Sequence, residues 1–153
     1  MKTKSFILAL FVGILAVSCV STRSTIKNID DNAPEPILTK DGWFLLTELS
    51  KDKKYGYDKD YPINVFYKSV ADEDINPKRF LDALTGPKGE TISYKKIESC
   101  CPFPSKRNEM GAGLLDVYEI TWPGLAKPIR LYFNIYEKGY LFVPKGFGLK
   151  KNQ

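Results

Sequence analysis

IESCCPFPSKRNEMGAGLLDVYEITW, residues 97–122, is the stretch that decides the fold. Two adjacent cysteines, Cys100 and Cys101, are followed by Pro102 and Pro104, then a polar bend, then Gly111 and Gly113, then a strand-like run to Trp122. Each proline fixes its own φ and holds the residue before it extended, so the backbone around the cysteines has few conformations open to it. Residues 114–122 form the longest strand pattern outside the C-terminal hairpin candidate, so a local constraint runs straight into a core-forming element.

Working outward, residues 129–136 alternate, with Ile129, Leu131, Phe133 and Ile135 predicted inward and Arg130, Tyr132, Asn134 and Tyr136 outward. Glu137, Lys138 and Gly139 read as a hairpin loop leading to a strand over residues 140–143, with Gly139 supplying the positive φ. On the other side, residues 91–98 form a strand candidate entered through a turn at residues 87–90. Residues 75–86 read as a helix: Asn76 is a suitable N-cap, Pro77 suits the first position, Ile75 can staple onto Phe80, and Gly86 with Pro87 stops it. Phe80, Leu81 and Leu84 share one side of that helix, and so short a helix needs a sheet to lie on. Residues 63–67 and 42–49 are two further strand candidates, the second apolar on both faces. The fold class is therefore α+β: a single small domain, mainly an antiparallel β-sheet meander with one short helix packed on it.

The start of the chain carries an address. Lys2 and Lys4 precede an apolar run over residues 6–17, short for a permanent span and the right length for the core of a secretory signal. Leu15, Ala16, Val17, Ser18 and Cys19 resemble the lipobox of bacterial lipoproteins, in which the cysteine is acylated and becomes the new N-terminus. Several acyl chains hold a protein to a bilayer stably, since each buried methylene contributes about 0.8 kcal/mol. The expected organisation is a signal peptide at residues 1–18, a lipidated N-terminus and flexible tether at 19–36, a globular domain at 37–149 and a basic tail at 150–153. Cleavage after Ser18 leaves 135 of the 153 residues, enough for one domain. In lipoproteins of the Bacteroidota, surface export is associated with acidic residues directly after the cysteine. Here Val20, Ser21, Thr22 and Arg23 follow, which points to the outer membrane facing the periplasm.

Charge and composition exclude several functions. Losing Lys2 and Lys4 lowers the formal charge from +5 to +3, too mild a balance to imply nucleic acid. The chain contains no histidine, which removes the usual general base, the usual metal ligand and every Ser-His or Cys-His nucleophile. Adjacent cysteines have the wrong spacing for zinc, so no metal is expected, and no glycine motif implies a phosphate-bearing cofactor. With Cys19 acylated, Cys100 and Cys101 remain as thiols in an oxidising compartment. They can bond to each other in an eight-membered ring, stay free and buried, or cross-link two molecules. Among the carboxylates Glu98, Glu109, Asp116 and Glu119, Asp116 alternates with Leu114 and Tyr118 on a partly apolar face, where burial would perturb it. Tyr55 and Tyr57 lie in a charged loop and have flat rings to offer a sugar or peptide. Cys100, Cys101, Asp116, Glu119, Tyr55 and Tyr57 are thus the candidate ligand or redox surface.

Residues 54–57, 62–65, 79–90, 99–103 and 113–119 together resemble a family of small flavobacterial lipoproteins, and the likeness covers nearly the whole mature chain. Its members often bear the name 2-dehydro-3-deoxyphosphooctonate aldolase. The synthase of that sugar phosphate is a (β/α)₈ barrel of roughly 250 residues, so the resemblance implies a lipoprotein and carries over no aldolase residue. The expected function is a membrane-anchored lipoprotein that binds a glycan, a peptide or an envelope protein without catalysis. The alternative is a small enzyme using its carboxylates or the cysteine pair.

Overall fold

Residues 97–122 fold into the two longest strands of the domain. The computed structural model describes residues 24–68 and 75–151; the signal segment, Cys19 and the end of the basic tail lie outside them. In chain order the elements are β1 (Ile63–Asn64), α1 (Ile75–Leu81), β2 (Leu84–Thr85), β3 (Ser93–Pro104), β4 (Ala112–Thr121), β5 (Ile129–Asn134) and β6 (Gly148–Leu149). Strands β3, β4 and β5 form the antiparallel meander, and β1 joins its far edge parallel to β5, giving a four-stranded sheet of order β1-β5-β4-β3. β2 and β6 pair separately. The domain is α+β, with one short helix packed on a mainly antiparallel sheet.

One face of the sheet carries Tyr118, Ile120, Leu131 and Phe133 against Phe80 and Leu81 of α1, all nearly or fully buried. Phe133 is the centre, meeting Phe80 edge to face at 5.6 Å and Tyr118 at 5.3 Å. The opposite face carries a smaller cluster of Ile26, Phe103 and Leu115. Ile26 belongs to the stretch expected as tether, and its neighbours are held as well: Lys27 N–H donates to Asp60 O and Asp30 N–H to Lys138 O, each at 2.9 Å. The packing therefore includes residues 26–30, ahead of residue 37, because the second face of a two-faced sheet needs cover.

Several elements differ from the sequence expectation. α1 ends at Leu81 instead of reaching Gly86, and Leu84 lies on β2. Phe44 N–H donates to Arg79 O at 3.0 Å and so satisfies a carbonyl at the end of the helix. Leu84 and Thr85 then find partners in β6, where only glycine fits: a Cβ on Gly148 would lie 2.6 Å from Thr85 Oγ1 and 2.9 Å from Gly86 O. Asn76 binds Tyr67 O and receives a bond from Arg79 rather than capping, and Ile75 is largely exposed while Phe80 is fully buried. Residues 42–49 form isolated bridges instead of a strand, since their donors go to Arg79 and Ile37; Phe44 and Leu46 are buried while Leu45 is exposed. The cysteines lie within β3, at a register irregularity between Cys100 and Phe103.

The hairpin expected at residues 137–139 is absent. Glu137 O accepts from Phe66 N–H and Lys138 O from Asp30 N–H, so the loop docks on β1 and on the N-terminal stretch. Gly139 has no positive φ; it is required by close approach, because a Cβ there would come within 2.8 Å of Asn64 Nδ2 and 3.0 Å of Asn28 O. Asn134, expected outward, is fully buried and donates to Asn64 Oδ1 at 2.9 Å. Gly139→Ala should destabilise the domain by about 1–3 kcal/mol by forcing Asn64 and Asn28 apart. A urea midpoint equal to that of the parent chain would contradict this.

Candidate functional site

Cys100 and Cys101 are bonded to each other. Both are half-buried, and Cys101 has a φ of 58° that an ordinary strand residue does not adopt. Cys100 pairs with Leu115, and Cys101 packs on the Ile26, Phe103 and Leu115 cluster. Asp116 is on the other face of β4, which carries Tyr118 and Ile120. It accepts from Ser99 Oγ at 2.7 Å and pairs with Lys96 at 2.9 Å, with its side chain 7% exposed. Glu119 pairs with Lys95 at 3.2 Å. Both carboxylates are therefore held by a lysine of the neighbouring strand, as cross-strand pairs on β3 and β4. Their positions do not define a catalytic pair across a cleft.

Tyr55 and Tyr57 belong to a different region. The Tyr55 hydroxyl donates to Tyr140 O at 3.3 Å and accepts from Phe142 N–H at 3.1 Å, and burial pushes its phenol well above the ordinary range. Tyr57 donates to Lys145 O, and burial raises its phenol also. The two hydroxyls thus anchor residues 140–145, which make no strand.

That anchoring shapes a cleft of about 500 Å³ lined by Asn28, Asp30, Glu48, Tyr55, Tyr140 and Phe142, among others. The Tyr140 and Phe142 rings are stacked with centroids 6.2 Å apart and planes 23° apart, and Tyr140 is 50% exposed. Tyr55 meets Phe142 edge to face at 5.7 Å beneath them. A second depression, lined by Ile37, Leu45 and Leu141, shares Glu48, Tyr140 and Phe142 with the first. A stacked aromatic ridge thus separates two hollows, with Glu48 common to both. Of the sequence candidates only Tyr55 contributes to this surface. Tyr140 and Phe142 were legible as two aromatics of equal parity in residues 140–143, but not their meeting with residues 28–30 and 48–52.

A charged cluster lies on the face covered by the N-terminal stretch. Glu137, buried, accepts from Ser105 Oγ at 2.7 Å and from Arg107 Nη1, while Arg107 Nη2 binds Asp31. The Arg107 guanidinium also lies 5.1 Å from the centre of the Phe66 ring. Its hydrogen bond holds the Asp31 carboxyl below the usual range. The resulting stabilisation is present above the unfolded value and fades as pH falls through the lowered folded one; with the Asp31 side chain 70% exposed, it is small. Among the described residues no group of three or more His, Cys, Asp or Glu is placed to hold a metal ion.

No family model, curated protein or solved structure matches the chain.

Arg107→Ala should cost about 2–4 kcal/mol, chiefly because Glu137 would remain buried with only Ser105 as a partner. The double variant Arg107→Ala with Glu137→Leu should recover much of that loss. Equal denaturation midpoints for the single and double variants would show that the loss does not come from leaving Glu137 buried and unpaired.

Proposed function

We propose that the chain is a lipid-anchored lipoprotein of the cell envelope, facing the periplasm from the outer membrane, that binds a glycan without catalysing a reaction. The observation that carries the binding reading is the half-exposed Tyr140 ring stacked on Phe142 at the edge of an open cleft. A flat aromatic face takes the apolar side of a sugar ring, and nearby carboxylates such as Asp30, Glu48 and Asp52 accept bonds from its hydroxyls.

The non-catalytic reading is supported by the occupation of three carboxylates: Asp116 by Lys96 and Ser99, Glu119 by Lys95, Glu137 by Arg107 and Ser105. The anchor rests on the lipobox-like order of residues 15–19. Acyl anchoring requires no spanning helix, and among the described residues no helix is long and apolar enough to cross a membrane. An extended peptide is the second reading, favoured by exposed Ile37, Leu45 and Leu49 beside the two hollows.

Two measurements test the proposal. Cys19→Ala should move the protein from the membrane fraction to the soluble one and abolish labelling by a fatty-acid probe; unchanged partition removes the anchor. On parallel glycan and peptide arrays, the parent chain should retain oligosaccharides, and Tyr140→Ala should weaken that binding about tenfold. Retention of peptides alone would replace the glycan reading with the peptide one, and equal retention by Tyr140→Ala would remove the cleft from either.

A further inference from the structure

Three segments far apart in sequence converge on the side of the domain that carries β2 and β6. The first is the turn at residues 39–43, closed by Thr39 N–H to Trp43 O at 2.8 Å and Gly42 N–H to Thr39 O at 3.1 Å, which presents Lys40, Asp41 and Trp43. The second is the turn at residues 86–90. There Gly89 N–H donates to Gly86 O at 3.0 Å, Glu90 Oε2 accepts from Lys88 N–H at 2.8 Å, and Gly89 takes a φ of 89°. The third is the segment after β6, where Lys150 N–H donates to Ala83 O at 2.9 Å and extends the pairing with β2.

Together they enclose a depression of about 790 Å³ whose lining includes Lys40, Lys88, Lys150 and Lys151 against the single carboxylate of Asp41. The sequence predicts residues 150–153 as a basic tail; the fold instead sets Lys150 Nζ 4.9 Å from the centre of the Trp43 ring. Lys40, Lys88 and Lys151 make no ion pair with any described residue. Elsewhere ion pairs join Lys95 to Glu119, Lys96 to Asp116 and Arg107 to Glu137, while many surface lysines have none; what sets these four lysines apart is that they line one depression.

Four ammonium groups around one concave surface repel each other at less than about 1 kcal/mol per pair in water, a modest penalty. They also focus a positive potential into the hollow. An anion with one negative charge would leave most of that potential uncompensated. A phosphate monoester carries about −1.5 to −2 at neutral pH and offers three acceptor oxygens to ammonium donors. The exposed Thr91 at the rim adds a hydroxyl donor.

We propose that this depression binds a phosphate monoester or diphosphate group, with Lys40, Lys88, Lys150 and Lys151 as its charge partners. Trp43 positions Lys150 rather than stacking on the ligand. The group belongs either to a soluble molecule or to a lipid headgroup, and the chemistry of recognition is the same. The site uses no residue of the aromatic cleft and stands independently of the glycan reading.

Inorganic pyrophosphate, titrated into the full chain at constant ionic strength, should shift the Trp43 indole resonance and saturate. Binding should strengthen as pH rises through about 6, where the probe loses a proton and gains a negative charge. Lys40→Gln with Lys88→Gln should weaken the affinity about tenfold or more, while Lys127→Gln, exposed and outside the lining, should leave it unchanged. Co-sedimentation of the Cys19→Ala chain with vesicles containing about one fifth phosphatidic acid distinguishes the sources. Lysine-dependent pelleting assigns the lipid, and saturable pyrophosphate binding without such pelleting assigns the soluble source. If the double variant matches Lys127→Gln with both probes, the proposal is overturned and the four lysines form only a solvated face.

Discussion

A chain of amide hydrogen bonds runs through the second face of the sheet, and the remaining architecture depends on it. Asn134 on β5 donates to Asn64 on β1, Asn64 donates to Asn28 O and Oδ1, and Asn28 donates to Pro62 O. Each bond is worth only about 1 kcal/mol net, but leaving one such buried group without its partner costs about 1–3 kcal/mol. β1 is two residues long and makes one short parallel pairing, which could not hold its register on backbone bonds alone. The asparagines fix that register and, through Asn28, bring residues 24–33 onto the face that α1 leaves uncovered. Gly139 belongs to the same device, because any side chain there would occupy the space of Asn64.

The aromatic cleft follows from this arrangement. Its walls come from residues 28–30, 48–52 and 140–142, and the first is tied by Asp30 N–H to Lys138 O, just ahead of the last. Tyr55 supplies the other tie, its hydroxyl joining two backbone groups of the 140–142 segment. A segment held at both ends by such bonds can present a half-exposed ring in a fixed orientation without forming a strand. Order outside regular secondary structure thus builds the cleft proposed above as a binding surface.

The meander was legible because its strands satisfy a simple rule: alternation over residues 129–133 and the long run after Gly113 survive intact in β5 and β4. The helix was legible in its Phe80 and Leu81 face but not in its end, since Leu84 suits a buried strand as well as a helix and the choice falls to β6, more than sixty residues away. Asn134 was misplaced for a related reason. Alternation sends it outward, and its burial depends on Asn64 and Asn28 arriving from two distant segments. The candidate surface suffered likewise: Cys100 and Cys101 form a vicinal disulfide on one face, Asp116 lies on the other, and Tyr55 shares a cleft with residues that lack local signature. Arg107 and Glu137 sit in a polar bend and a supposed hairpin loop, where charge is ordinary, so nothing local marked their pairing.

Amide hydrogen exchange measures most directly whether residues 24–33 belong to the folded body through the asparagine chain. The amides of Lys27 and Asp30 should be protected to within about tenfold of Tyr132, which donates to Gly56 O from the middle of β5. Exchange of Lys27 and Asp30 at the rate of an unstructured peptide, with Tyr132 still protected, would contradict this and return the segment to a tether.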